Sequence, residues 1–99
     1  MSKNKISPLG TNWNDFEKEN FTPEEIAESD LRVAIISEII NTRQEQKITQ
    51  KELEAMSGVK QPIIARLEKG TTDPQISTVL KVLFALGKTL KVVPIEDNI

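Results

Sequence analysis

The chain contains no cysteine and no histidine, and its aromatic residues are few: one tryptophan, three phenylalanines and no tyrosine. Without cysteine there can be neither disulfides nor thiolate metal sites. Without histidine the commonest general base is missing, so most routes to acid–base, nucleophilic or zinc chemistry are closed. Asp, Glu, Lys and Ser remain, but no nucleophile elbow, phosphate loop or paired-carboxylate signature occurs. The expectation is a protein that is not an enzyme and carries no metal or cofactor. Long apolar runs are missing as well. Each is broken within a few residues by Ser37, Glu38 or Lys81, so none can span a bilayer. No apolar stretch follows the N-terminal lysines, so no secretory signal is visible and the cytoplasm is the expected location.

What is present amounts to one domain with an appended segment. Ninety-nine residues can bury a real core, though a small one. An apolar fraction of 37% places the chain with globular proteins rather than disordered ones. The net charge of −2 argues, on its own, against nucleic acid, but the charge is unevenly distributed. Residues 1–30 carry Lys3, Lys5 and Lys18 against Asp15, Glu17, Glu19, Glu24, Glu25, Glu28 and Asp30, a balance of −4. Residues 43–72 carry Arg43, Lys47, Lys51, Lys60, Arg66 and Lys69 against Glu45, Glu52, Glu54 and Glu68, a balance of +2. An acidic front precedes a mildly basic middle.

Residues 1–21 are polar and turn-rich and read as an extended arm with the apolar anchors Ile6, Leu9, Trp13, Phe16 and Phe21. Thr22-Pro23-Glu24-Glu25 is a strong helix start, with Thr22 as cap, Pro23 at the first helical position and Glu25 completing a capping box. The helical pattern then runs to about Gln46, with a possible jog near Ser29-Asp30. Thr49-Gln50-Lys51-Glu52 repeats the capping-box logic and opens a second helix to about Met56. Ser57-Gly58-Val59 is a tight turn in which Gly58 can take positive φ. A third helix runs from about Gln61 to Lys69, tolerates Pro62 in its first turn and stops at Gly70. After the Asp73-Pro74 loop, Ile76, Val79, Leu80 and Leu83 mark a fourth helix ending at Gly87. Lys88 to Pro94 is rich in β-branched residues and predicts a short strand, whose bare edge (Leu90 to Ile95) either pairs with another copy or covers the core.

Two short helices joined by a three-residue glycine turn form a helix-turn-helix. Leu53 and Met56 from the first helix, Val59 from the turn, and Ile64 and Leu67 from the second fall where crossing helices must meet. Lys60, Gln61, Ile63, Ala65 and Arg66 then face away from the core. A helix in the major groove reads bases with its N-terminal residues, so Gln61 is placed to read an adenine edge and Arg66 to reach a guanine or a phosphate. Gln50, at a helix N-terminus, can hold a phosphate. Lys51, Lys60, Ala65, Lys69 and Thr71 complete the candidate DNA-binding set. On an isolated helix such polar residues would be read as a solvated face. Within this pattern they are read as a contact surface.

The segment Ile48 to Gly87 resembles the Cro/CI-type (XRE) helix-turn-helix family. The matching landmarks are Thr49-Gln50, Leu53, Gly58-Val59, Ile64, Leu67-Glu68-Lys69-Gly70, Pro74, and the Leu80, Leu83 and Ala85-Leu86-Gly87 close. The resemblance implies an all-α, lambda-repressor-like domain of approximately five helices, here with a short C-terminal β-strand and an N-terminal extension. It also implies a structural role for Arg43 and Glu68, as the ion pair that ties the first helix to the end of the recognition helix, alongside Gly58 in the turn. Pro62 departs from the family, which often has a polar, base-touching side chain there. Direct readout is correspondingly thinner.

The helix over residues 31–46 has more apolar surface than one small domain covers. Leu31, Ala34, Ile35 and Ile39 form one stripe, while Val33, Ile36 and Ile40 fall on another side. Burying these last three is worth on the order of 5 kcal/mol, so an arm, a second copy or a partner protein is expected to lie there. Trp13, Phe16 and Phe21 sit in the acidic stretch, either folded back on the chain or forming a docking surface for a basic partner. Two parts are therefore expected: residues 1–29 as an arm and short helix for partner binding or fold-back, and residues 30–99 as the helix-turn-helix domain.

The whole layout resembles HigA-type antitoxins of type II toxin–antitoxin pairs. It combines an acidic Trp-bearing extension, Thr22-Pro23-Glu24-Glu25-Ile26, Asp30-Leu31-Arg32-Val33-Ala34-Ile35 and a C-terminal Leu-Gly-Lys-Thr-Leu-Lys-Val-Val-Pro. That resemblance implies as partner a small basic HigB-type (RelE/ParE-like) ribonuclease toxin and autorepression of the operon; the uncovered apolar residues Trp13, Phe16, Phe21, Val33, Ile36 and Ile40 are the candidate partner-binding set. A homodimer on a palindromic operator of two half-sites is expected. Two alternatives stand beside it: a stand-alone Cro/CI-like repressor of a phage or mobile element, and a protein-binding module without DNA affinity.

Overall fold

The structure is a computed structural model and describes residues 20–95. Trp13 and Phe16 lie outside the described residues. The chain divides into two units, Met1–Ala34 and Ile35–Ile99. Among the described residues the secondary structure is entirely helical: α1 (Pro23–Glu45), α2 (Gln50–Ser57), α3 (Gln61–Lys69) and α4 (Ile76–Ala85).

Each helix begins or ends on local chemistry. At the start of α1, the Glu25 amide donates to Thr22 Oγ1 at 3.1 Å and the Thr22 amide donates to Glu25 Oε1 at 2.9 Å. This reciprocal pairing satisfies two amides that have no helical partner. α1 is continuous through Ser29-Asp30, so there is no jog. The Glu28–Arg32 ion pair, four residues apart at 2.9 Å, spans that position. After α1 the chain turns with Lys47 at φ 59°, a left-handed conformation in a residue that is not glycine. The Ile48 amide returns to the Arg43 carbonyl at 2.9 Å, and Arg43 Nη1 donates to the Ile48 carbonyl at 3.0 Å.

α2 packs against α3 and α4, and the core between the helices consists of Ile39, Leu53, Val59, Ile64, Leu67, Val79, Val82, Leu83 and Leu86. Ile35, Ile48 and Ala85 pack on its margin. Ile39, Leu53, Ile64 and Val82 are the large side chains with no solvent access. Burying each is worth about 1.5–3 kcal/mol, and that burial, not helix propensity, stabilises helices of eight to ten residues.

Several expectations are corrected. Residues 88–95 form no strand, because a strand requires a ladder partner and the neighbouring elements of this chain are helices. The described residues hold four helices. Met56 is exposed. The inward face of α2 is centred on Gln50, Leu53 and Ser57, two of which are polar, and Met56 lies about 60° to one side of Leu53. Ile76 is exposed as well, because the buried stripe of α4 is Val79, Val82, Leu83 and Leu86. On α1, Leu31 and Ala34 are exposed, and the buried residues are Ile39 and Thr42.

Candidate nucleic-acid interface

The N-terminus of α2 is fixed by a second capping box. The Glu52 amide donates to Thr49 Oγ1 at 3.0 Å, and the Thr49 amide donates to Glu52 Oε1 at 2.8 Å. Gln50 is thereby the first helical residue, half-buried, with its amide turned inward. Its Nε2 donates to Glu68 Oε1 at 2.9 Å, and its Oε1 accepts from Gln61 Nε2 at 2.7 Å. Glu68 is in turn held bidentately by Arg43, through Nε at 2.7 Å and Nη2 at 2.9 Å. Ionised, two-pronged bonds of this kind are the stronger and more directional sort.

Hydrogen bonds therefore run without a gap from the end of α1 (Arg43) to the end of α3 (Glu68), on to the start of α2 (Gln50), and to the start of α3 (Gln61). No buried side-chain polar atom among the described residues lacks a partner. The consequence for Gln61 is specific. One amide proton is committed to Gln50, which leaves its carbonyl oxygen and second N–H as an acceptor–donor pair at the first turn of α3. That is the pair an adenine edge requires.

α3 has an unusual beginning. Its cap position is Lys60, whose side chain can accept nothing, and no capping bond comes from it. Glu54 of α2 supplies one instead: the Gln61 amide donates to Glu54 Oε1 at 3.1 Å. Lys51 Nζ donates to the same oxygen at 3.2 Å, and Lys60 Nζ lies 3.9 Å from Oε2. The Lys51 hydrogen bond and then the Gln61 amide hold the Glu54 carboxyl below the usual glutamate range, with the charges of Lys51 and Lys60 assisting against slight burial. One carboxylate thus braces α3 against α2 and brings two of the candidate DNA-contacting lysines to one place.

The other candidates divide by exposure. Arg66, Lys69 and Thr71 are exposed, and Ala65 is half-buried. Two glycines fix the ends of the recognition segment. Gly58 sits at φ 80° with open space where a Cβ would stand, so the turn requires only its backbone freedom. Ser57 bridges the same turn, donating through Oγ to the Leu53 carbonyl at 2.7 Å and accepting from the Val59 amide at 3.1 Å. Gly70 sits at φ 72°, and there a Cβ would also come within 3.3 Å of Ile36 Cδ1.

The residues expected to bind a protein partner are not all displayed alike. Phe21 and Val33 are exposed, whereas Ile36 and Ile40 are half-buried. Ile36 lies over Gly70, which accounts for part of its cover within the second unit. Sequence reasoning missed Glu54 altogether. The available signal was a helix whose cap residue cannot cap, which demands an acceptor from another element. It also treated Gln50 and Gln61 as independent contacts, because side-chain pairing across the turn leaves no periodic trace.

Two short helices, a glycine turn and a braced second helix with polar groups at its start define a helix-turn-helix of the DNA-binding kind. Comparison with known proteins agrees. Residues 39–93 match the family model described as helix-turn-helix, and the chain belongs to that family. It is 63% identical over 93 residues to an uncharacterized HTH-type transcriptional regulator of Haemophilus influenzae, covering 94% of this chain and 95% of that protein. A second uncharacterized HTH-type transcriptional regulator, of Sinorhizobium fredii, is 36% identical over 58 residues, covering 59% of this chain and 75% of the relative. Among solved structures, one described as a toxin–antitoxin module from Streptococcus pneumoniae matches with a TM-score of 0.76 and 63% identity. The match covers 87% of this chain and 96% of that one. No helix among the described residues is long and apolar enough to cross a membrane.

Proposed function

We propose that this chain is a cytoplasmic transcriptional repressor and the antitoxin of a type II toxin–antitoxin pair. It binds a palindromic operator as a homodimer, one α3 to each half-site, with the half-sites about one helical turn (roughly 34 Å) apart. Gln61 reads an adenine edge, Arg66 reaches a guanine or a phosphate, and Lys51, Lys60, Lys69 and Thr71 serve the backbone. Gln50 acts chiefly by orienting Gln61, with the exposed start of α2 left to meet a phosphate. The observation that carries this reading is the Gln61–Gln50–Glu68–Arg43 chain, which presets a base-reading amide before DNA arrives. Preorganisation of this sort lowers the ordering cost of binding.

The antitoxin half rests on the likeness to a solved toxin–antitoxin module and on the acidic, aromatic N-terminal stretch. The partner is a small basic HigB-type (RelE/ParE-like) ribonuclease, neutralised by contact with Trp13, Phe16, Phe21 and the Val33 region. The test is co-expression with a small basic protein encoded beside this chain, read as host growth and co-purification. A neighbour that is toxic alone, and harmless and bound in this chain's presence, supports the proposal. A neighbour that is never bound overturns it. In that case the chain reads as a stand-alone repressor, the reading that the names of its two regulator relatives favour.

A further inference from the structure

α3 opens with two apolar side chains that the core does not use. Pro62 is exposed and Ile63 is 39% exposed, although both stand directly before the fully buried Ile64. At about 100° per residue, Ile64 and Leu67 define the inward direction of α3, and Pro62 and Lys69 fall within about 10° of the opposite one. Half-buried Ala65 and exposed Arg66 stand about 50° to either side of that outward line. Gln61 lies on one flank, held by Gln50 at 2.7 Å, and Ile63 continues the apolar surface on the other. The outward centre of the first turn is therefore a pyrrolidine ring, set between the amide of Gln61 and the charge of Arg66.

Proline is admitted here because an amide in the first turn of a helix has no helical partner to lose. That accounts for its fit to the backbone and not for what its outward ring would meet. The ring carries neither donor nor acceptor, so it can bond neither a phosphate nor a polar base edge. Its neighbours Lys60, Arg66 and Lys69 are exposed cations, which suit a polyanion against this face. Of the groups that B-DNA displays in the major groove, one is apolar: the 5-methyl group of thymine. We propose that Pro62 reads that methyl group in a base pair adjoining the adenine assigned to Gln61, so that each half-site is recognised by apolar contact as well as by hydrogen bonds. The assignment rests on the proposed DNA binding through α3 and adds to it the chemistry of a second base position. A ring with no rotamers to freeze suits the task, since little order is lost when it packs against the methyl. It also separates thymine from cytosine, which has only a hydrogen at the same carbon.

The test is fluorescence anisotropy of the full chain on a fragment of its own promoter in which each thymine in turn is replaced by deoxyuridine. That replacement removes the 5-methyl group and leaves every hydrogen-bonding group in place. Wild type and Pro62→Ala are compared, with circular dichroism confirming the helices. In the wild type, deoxyuridine at a thymine beside the base that Gln61→Ala ceases to discriminate is expected to weaken binding about fourfold, the size of one methyl group taken from water, and in Pro62→Ala about 1.5-fold or less. A purely structural role for Pro62 gives another pattern: Pro62→Ala binds every DNA more weakly and keeps the full deoxyuridine penalty. That pattern overturns the proposal, and so does wild-type binding indifferent to every deoxyuridine. Either result leaves Gln61 and Arg66 as readers, and the wild-type scan depends on no variant's stability. A wild type that does not bind its promoter at all removes the DNA reading itself, and this assignment with it.

Discussion

The stretch from Ile48 to Gly87 and the stretch from Lys88 to Ile95 are both rich in branched apolar residues, yet they end up in opposite states. In the first, the core side chains and the polar groups at the helix ends find partners, while Met56, Ile63, Ile76 and Phe84 stay exposed. Thr49 and Glu52 cap each other, Glu54 caps α3, Gln50 and Glu68 close a chain of hydrogen bonds, and Leu53, Ile64 and Leu67 are buried. In the second, Val92 and Ile95 are open to water, and beyond Lys88, whose amide donates to the Leu83 carbonyl at 2.8 Å, the backbone of residues 89–95 is unpaired. A segment that satisfies itself serves as a scaffold that can hold a reading surface rigid. A segment left open to water adds nothing to that scaffold.

The comparison can be broken by substitution. Ile39→Ala should lower unfolding free energy by about 3–4 kcal/mol, because Ile39 has no solvent access and its truncation leaves a cavity. Val93→Ala in dilute protein should cost about 0.5 kcal/mol or less, since nothing within the chain covers it. Urea melts of both decide the matter, and equal losses would erase the distinction. Glu68→Ala comes next, at about 3 kcal/mol, because it strands the largely buried Arg43 guanidinium and releases Gln50. It should also weaken DNA binding although Glu68 itself meets no DNA. A Glu68→Ala protein with lowered stability and unchanged DNA affinity would mean that the Gln50–Gln61 brace is dispensable.

Smaller effects sharpen the picture. Thr49→Ala removes one half of a capping box and should cost about 1 kcal/mol in the same melts. The Glu54 carboxyl is held below its usual range in the folded chain, so its contribution is complete at pH above the ordinary glutamate value. It is lost as pH falls through the lowered one. Stability should therefore decline on the acid side of that window, and Glu54→Gln should flatten the decline while loosening the start of α3. An acid limb of the same steepness in Glu54→Gln would place the titration elsewhere.

The helix ends were legible in the sequence because capping residues act within four positions of themselves. Thr22, Thr49, Gly58 and Gly70 each announce a boundary that the backbone obeys. Buried faces were less legible. The inward face of α2 contains Gln50 and Ser57, which earn burial through hydrogen bonds that no hydropathy pattern records, so Met56 was assigned inward in place of a polar residue. The C-terminal segment has strand composition yet forms no strand, because composition alone supplies no ladder partner and the neighbouring elements of this chain are helices. Within the site, the residue types at the start of α3 were visible. The links between them were not, because Glu54 to Gln61 and Glu68 to Gln50 join helices that periodicity treats separately.

The most direct test of the account is the affinity of the full chain for a fragment of its own promoter, by fluorescence anisotropy at several salt concentrations, for the wild type, Gln61→Ala and Arg66→Ala. The expected result is wild-type affinity that falls log-linearly with salt, and a loss of about tenfold or more in each variant with helical content unchanged. Binding indifferent to salt, or both variants binding as the wild type does, would contradict the claim that α3 of this chain reads DNA.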